Sequence, residues 1–311
     1  MIPHLSVVVP VYNEEANIPH LIDRLMKSLN ALHTSFEVIF TNDGSNDQSL
    51  SLLREASAAH PAKIRIIDFK GNFGQHMAII AAFSAARGDI IVTLDADLQN
   101  PPEEIHKLIT KMNEGYDYVG SYRDKRQDSF FRTYVSRMVN WMREKITDIQ
   151  MRDQGCMLRA YHRSIIDKIV EGREHSTFIP ALAYKLSRNP TEIEVHHAER
   201  AAGESKYNLY KLVRLNFDLI TSFSIAPLQL FTMFGLLTSF LSGFLVCYLL
   251  VRRILIGPEA EGLFTLFAIA FFLISVVIVG IGLIGEYLGR LALNLSPRPR
   301  YEIRTLYEDD K

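Results

Sequence analysis

The stretch Asp89-Ile90-Ile91-Val92-Thr93-Leu94-Asp95-Ala96-Asp97 decides the fold. Its unbroken run of Ile, Val, Thr and Leu is entered from Gly88 and followed by Pro101-Pro102. Such a run reads as a strand buried on both faces, as strands of parallel sheets are. Open α/β sheets bind ligands outside the carboxyl ends of their strands, and that is where Asp95 and Asp97 fall. Two carboxylates one residue apart concentrate negative charge that a proton or a hard divalent cation makes tolerable. Magnesium or manganese there would in turn hold a diphosphate. The bland alternative is a solvated Asp-x-Asp loop, and the neighbouring strands must decide between the two.

Upstream, strand and helix alternate. Leu5 to Val9 reads as a strand ended by Pro10-Val11-Tyr12-Asn13-Glu14-Glu15, and Ile18 to Leu32 has helical apolar spacing. Phe36 to Phe40 is a second strand, running into Thr41-Asn42-Asp43-Gly44-Ser45-Asn46-Asp47 and a helix from Ser49 to Ala59. Ile64 to Phe69 is a third, followed by Gly71-Asn72-Phe73-Gly74-Gln75 and a small-residue helix from Met77 to Arg87. This alternation predicts βαβ units and a mainly parallel sheet with right-handed crossovers. Three strand ends then carry chemistry at one edge: Tyr12, Asn13 and Glu14; Asp43; Asp95 and Asp97. Asp43 is an acceptor suited to the N3–H of a uracil ring; taken alone, its loop reads more simply as an Asx turn or a helix N-cap.

Pro227 to Val251 carries no charged residue, and neither does Gly262 to Gly285. Each exceeds the roughly 20 residues a helix needs to cross the hydrocarbon. Buried core helices of a soluble domain normally keep a polar face, which neither stretch has. Lys206, Lys211 and Arg214 precede the pair and Arg290, Arg298, Arg300 and Arg304 follow it, against Arg252 and Arg253 between. That bias predicts both termini in the cytoplasm. No basic segment followed by an apolar one opens the chain, so no signal peptide is expected. The expected organisation is a catalytic domain over 1–204, a juxtamembrane interface helix over 205–226, two membrane helices over 227–285 joined by an external loop at 252–261, and a cytoplasmic tail over 286–311.

Bulk properties agree. The net charge of −1 argues against a nucleic-acid binder, and two cysteines, Cys156 and Cys247, do not make a disulfide framework. The part before Pro227 is long enough for one large α/β domain.

Pro10-Val11-Tyr12-Asn13-Glu14, Asn42-Asp43-Gly44-Ser45 and Asp95-Ala96-Asp97-Leu98-Gln99 resemble the successive signatures of family 2 glycosyltransferases with the GT-A fold. Gly74-Gln75-His76, the string from Leu94 to Glu104, Gly155 to Tyr161, Ser176 to Pro180 and Val195 to Arg200 narrow the resemblance to polyprenyl-phosphate glycosyltransferases. It covers nearly the whole chain, both spans included. One departure is Asn42, where many members have an Asp.

The resemblance implies transfer of a sugar from a UDP-sugar to undecaprenyl phosphate at the bacterial inner membrane, with a magnesium or manganese cofactor. The implied donor is UDP-4-deoxy-4-formamido-L-arabinose, and a UDP-hexose or UDP-N-acetylhexosamine is the alternative. Asp43 would read uracil, with Pro10, Tyr12 and Glu14 lining the nucleotide pocket. Asp95 and Asp97 would hold the metal, and Gln99 would line the sugar side. Arg200, Ser205 and Lys206 would close over the phosphates, although their string also reads as a basic loop attracted to anionic lipid. Asp153 is a candidate orienting residue or a brace for its own loop. A homo-oligomer, such as a tetramer, is implied as well; small residues in the spans and a tail able to reach a neighbour fit it, and a monomer is the alternative.

Spacing also speaks for an acceptor site. Ser129 to Ile146 reads as an amphipathic helix, on which Arg132 and Ser136 share a face. An Arg and a hydroxyl beside an apolar stripe suit a lipid phosphate monoester, with Arg123 just upstream as a second guanidinium. A surface helix with solvated arginines is the alternative. In the family, positions like these bind the lipid phosphate. Among rivals, a processive polysaccharide synthase would carry Gln-x-x-Arg-Trp, whereas Trp141 here follows Asn140. A nucleotidyltransferase needs no apolar acceptor helix, and a membrane-anchored nucleotide-sugar scaffold needs no Arg132 and Ser136.

Overall fold

The computed structural model describes residues 3–123, 151–153, 155–172, 178–196, 221, 225–257, 263–295 and 299–308. These divide into an α/β unit, 3–196 together with 299–308, and a helical unit, 221–295.

The α/β unit is built on one eight-stranded sheet. Its strands are β1 (Leu5–Val11), β2 (Phe36–Asn42), β3 (Ile64–Phe69), β4 (Ile90–Thr93), β5 (Tyr118–Arg123), β6 (Arg159–His162), β7 (Pro190–Val195) and β8 (Ile303–Tyr307), in the order β7-β5-β6-β4-β1-β2-β3-β8. The run β4-β1-β2-β3 is parallel, as the alternation predicts. β6 is antiparallel to both β4 and β5, and β8 is antiparallel to β3. Strand β1 continues through Pro10 to Val11, two residues past the predicted end. Pairing with β4 stops at Val8↔Thr93, so the missing Pro10 N–H falls where β1 has lost one neighbour.

Helices cover both faces. On one lie α1 (Ile18–Asn30), α2 (Ser49–Ala59) and α4 (Ile105–Asn113). Helix α1 buries Ile18, Leu21, Leu25, Met26 and Leu29, a stripe at helical spacing, and starts with a proline in its first turn. On the other lie α3 (Gln75–Ala85), α5 (Arg163–Glu171) and α6 (Ile179–Leu186). Alternation along β1 serves both layers: Val7, Val9 and Val11 enter the core with α1, and Val8 enters the core with α3. Met77 to Phe83 of α3 are all buried, because sheet and α5 enclose that helix.

The segment after the second long helix corrects the predicted separate tail. Ile303–Tyr307 returns to the α/β unit as the edge strand β8, so 299–308 belongs to that unit. The Arg65 guanidinium, nearly buried, bridges Glu37 at 3.0 Å and Glu308 at 2.6 Å. Glu37 also accepts from the Ser6 hydroxyl at 2.7 Å and the Arg87 N–H at 2.6 Å. A buried carboxylate so fully partnered is tolerable, whereas removing Arg65 would strand it at about 3–5 kcal/mol.

In the helical unit, α7 spans Ala226–Ile256 and α8 spans Leu263–Leu295. Ala226–Leu245 (mean hydropathy 1.6) and Ile269–Gly289 (mean hydropathy 2.5) are long and apolar enough to cross a membrane. Helix α7 runs on through Arg252 and Arg253, which were predicted to open the loop; cations suit the carbonyl end of a helix. Helix α8 likewise extends beyond the predicted end of the second span. A Cβ on Gly280 would lie 2.3 Å from the Phe231 ring, so this glycine lets the two helices approach.

Candidate active site

Strands β2 and β3 lie on one side of β1 and β4 on the other, so the chain reverses its winding between β1 and β4. The crevice outside such a switch point is where open α/β sheets bind ligands. The carboxyl ends of β1, β2 and β4 bring the Tyr12–Glu14 segment, Asp43 and the Asp95–Asp97 pair to this one edge.

The first two loops are laced together. Asn13 sits at φ 54, a left-handed conformation that asparagine tolerates. Its N–H donates to the Ser45 hydroxyl at 3.0 Å and its carboxamide oxygen accepts from the Asn46 N–H at 2.9 Å. The Glu14 N–H donates to Ser49 Oγ at 2.9 Å, and the Glu14 carboxylate accepts from Asn17 Nδ2 at 2.6 Å. Tyr12, 45 % exposed, stands on this braced loop with its ring open to solvent.

Asp43 is 2 % exposed and works as a cross-strand anchor. Its Oδ1 accepts from the Phe73 N–H at 2.7 Å and its Oδ2 from the Gly74 N–H at 2.9 Å. Burial pushes the Asp43 carboxyl above the ordinary range, and the two amide bonds pull it back down. Gly44, at φ 68, packs so closely on the next loop that a Cβ would lie 2.5 Å from the Gly71 carbonyl carbon. The preceding Asn42 donates from Nδ2 to Asp68 Oδ1 at 2.7 Å, and Arg304 of β8 lies 3.6 Å from Asp68 Oδ2. An Asp at 42 would set two buried carboxylates against each other, which gives the departure from the family pattern a local reason. Phe69 stacks on Tyr301 at 5.1 Å and meets Phe73 edge-on at 5.6 Å.

At the end of β4, the Leu94 N–H still bonds to the Val8 carbonyl at 3.0 Å, after which the chain turns. Ala96 is buried, with the partly exposed Asp95 and Asp97 on either side of it. Asp97 Oδ1 accepts from the Gln99 N–H at 3.1 Å, helping to hold Leu98 at φ 59. Asp95 Oδ1 accepts from Gln75 Nε2 at 2.7 Å. Among the described residues, no group of three or more His, Cys, Asp or Glu stands together as a metal cage. A pair of carboxylates still fits magnesium or manganese, which take one or two protein carboxylates and complete their shell with substrate phosphate and water.

Asp153 is buried; its Oδ1 accepts from the Gly155 N–H at 2.9 Å. Its carbonyl accepts from Arg159 Nη2 at 2.7 Å, and the Cys156 carbonyl accepts from Arg159 Nε at 2.8 Å. Cys156 Sγ donates to Asn100 Oδ1 at 3.3 Å, tying this loop to the one that follows Asp97. Burial pushes the Cys156 thiol up, which makes it a packing and hydrogen-bonding group. Arg159 is fully buried and also bonds the Tyr118 hydroxyl.

Arg132, Ser136, Arg200, Ser205 and Lys206 lie outside the described residues, as does the side chain of Arg123, whose backbone ends β5. Sequence reasoning gave no role to Gln75, His76 or Arg159. The signal for the first two was the Gly71–Gly74 turn that ends a strand at the same sheet edge. His76 Nε2 is buried and has no hydrogen-bond partner among the described residues; burial lowers its pKa, and its ring lies 5.9 Å from that of Phe178.

The family model for glycosyl transferase family 2 matches residues 6–170, from β1 into α5. An undecaprenyl-phosphate 4-deoxy-4-formamido-L-arabinose transferase of Aeromonas hydrophila is 46 % identical over 304 residues, covering 97 % of this chain and 93 % of the relative. The proteins of the same name from Proteus mirabilis and Yersinia enterocolitica are each 48 % identical, over 96 % and 97 % of this chain and 93 % of theirs. Among solved structures, glucosyl-3-phosphoglycerate synthase of Mycobacterium tuberculosis with Mn2+, UDP and phosphoglyceric acid gives a TM-score of 0.47 at 17 % identity, over 70 % of this chain and 76 % of that one. Residues 1–349 of S. aureus TarS give 0.44 at 16 %, over 61 % and 57 %. With the family match spanning the loops that carry Asp43, Asp95 and Asp97, and the curated relatives aligned nearly end to end, the chain belongs to glycosyltransferase family 2.

Proposed function

We propose that this glycosyltransferase moves 4-deoxy-4-formamido-L-arabinose from its UDP carrier to undecaprenyl phosphate at the cytoplasmic face of a membrane. The observation that carries the reading is the Asp95-Ala96-Asp97 pair at the β1/β4 switch point, in a chain aligned nearly end to end with relatives named for this transfer. Asp43 accepts the uracil N3–H, and Pro10, Tyr12 and Glu14 line the nucleotide side. Asp95 and Asp97 would hold magnesium or manganese, which when bound would supply Lewis-acid charge to the departing diphosphate. Gln99 lines the sugar side, and Asp153 orients the reacting groups. Arg200, Ser205 and Lys206 cover the donor phosphates, and Arg123, Arg132 and Ser136 hold the lipid phosphate.

A phosphate monoester has a second pKa near 6, so the acceptor is largely dianionic at neutral pH. It needs alignment with the anomeric carbon more than it needs a general base. One acceptor oxygen forms the new bond to that carbon as the bond to the UDP oxygen breaks, in line and with inversion, and UDP leaves as the anion. The length and apolar character of α7 and α8 support a location at the membrane that holds the lipid acceptor. Both ends of the chain lie in the cytoplasm, where nucleotide sugars are available. A homo-oligomer, such as a tetramer, belongs to the same reading and rests on the small residues of α7 and α8, since the tail strand is used at home; light scattering on the detergent-solubilised protein checks it.

The test is UDP release by the purified full chain in detergent, with a panel of UDP-sugars and undecaprenyl phosphate. Release should require the lipid and should be fastest with the formamido-arabinose donor. Equal rates with a hexose donor would overturn the sugar assignment. Nucleotide binding with no lipid-dependent release would overturn the enzyme assignment in favour of a binding scaffold.

A further inference from the structure

Phe73, Gly74 and Gln75 form a strut across the sheet edge. At one end, Asp43 takes the N–H groups of Phe73 and Gly74 at 2.7 and 2.9 Å. At the other, the Gln75 carboxamide donates to Asp95 Oδ1 at 2.7 Å. Both flanks of the strut are fixed. Gly74 holds φ 92, a conformation glycine adopts without strain, and α3 is buried from Met77 onward. The backbone carrying Gln75 therefore has little freedom, and its exposed side chain reaches Asp95 from a fixed base. The chemical type of that donor matters. A lysine or arginine would orient Asp95 and also cancel the charge a cation needs, whereas a neutral carboxamide orients it and leaves the charge in place.

We infer that Gln75 is a positioning residue for the cation site: it holds the Asp95 carboxylate in one orientation before cation and diphosphate arrive, and it spaces that carboxylate from Asp43. This rests on the reading of Asp95 and Asp97 as the cation-holding pair. Groups that hydrogen-bond a metal-holding carboxylate typically contribute about 10- to 100-fold to metal affinity.

The test is Mn2+ binding to the detergent-solubilised full chain at saturating UDP, measured by titration calorimetry, with UDP affinity in EDTA measured alongside. Gln75→Met keeps bulk and removes the donor; Gln75→Ala removes both. Both variants should bind Mn2+ at least about tenfold more weakly, with UDP affinity in EDTA and melting temperature near wild type. Wild-type Mn2+ affinity in Gln75→Met, with or without a loss in Gln75→Ala, would overturn the proposal by reducing Gln75 to a packing residue. A wild-type protein that binds no Mn2+ in the presence of UDP would overturn the underlying metal reading too, and is distinguished by needing no variant.

Discussion

Asp43→Asn is a near-isosteric change whose consequence can be worked from the two amide bonds. The carboxylate accepts from Phe73 and Gly74 at once. A carboxamide has one acceptor oxygen, so its NH2 must face one of the two backbone N–H groups. One charge-assisted bond is lost and a buried donor is left unpaired, at about 1–3 kcal/mol. The neutral amide is easier to bury than the carboxylate, which trims that figure toward about 2 kcal/mol. For a unit of this size, roughly 2–4 °C of melting temperature accompanies each kcal/mol, so thermal melts in detergent should drop by about 4–8 °C. If Asp43 also reads the base, as proposed, the single carboxamide oxygen must then serve a backbone N–H and the uracil N3–H together, and UDP binding should weaken by about tenfold or more. Inorganic pyrophosphate with Mn2+ has no base and should lose much less. A melting temperature within about 1 °C of wild type would refute the anchoring argument. Equal losses for UDP and pyrophosphate would refute base reading and assign the defect to the loop.

Other perturbations bear on the rest of the edge. Asp97→Asn should abolish transfer with the melt unchanged, and transfer by the wild-type protein that persists in excess EDTA would sink the cation-holding role. Gly44→Ala combines a left-handed φ, unfavourable by about 1–2 kcal/mol, with a clash against backbone, so it should lower the melting temperature and weaken UDP binding together. His76 is held below its ordinary pKa by burial, so the unfolded chain takes up a proton that the folded chain refuses. Its contribution is complete above about pH 6.5 and is lost as pH falls below that; melts across pH should show this slope, and His76→Phe should flatten it. With Cys156 and Cys247 replaced, a cysteine at Glu259 should react with an impermeant thiol reagent in intact cells and one at Asp309 should not, and the opposite labelling would reverse the proposed orientation.

Local chemistry explains which features could be read from the chain. The parallel core β4-β1-β2-β3 was legible because each strand is dominated by large apolar residues between turn residues, and helices of ordinary length separate them. β6 was not, because a four-residue strand that opens with Arg159 looks polar until its guanidinium is seen to be buried among carbonyls. β8 was hidden for the opposite reason: Ile303-Arg304-Thr305-Leu306-Tyr307 alternates as an edge strand should, but its partner lies on the far side of the two long apolar helices in sequence. The convergence of Asp43 with Asp95 and Asp97 follows from strand ends alone. The anchoring by Asp43 and the contact from Gln75 depend on partners 30 and 20 residues away, which spacing cannot show.

The closure of the sheet by β8 sets an order on biogenesis. Arg65 and Glu308 are separated by 243 positions, and both long apolar helices are synthesised between them. Until Ile303–Tyr307 emerges, β3 presents an unpaired edge, and Glu37 and Arg65 lack their third partner. The nascent α/β unit therefore waits, incomplete, while α7 and α8, helices long and apolar enough to cross a membrane, are synthesised. A chain that stalls or is cut before β8 leaves the ribosome with an open sheet edge, which exposes it to aggregation and proteolysis.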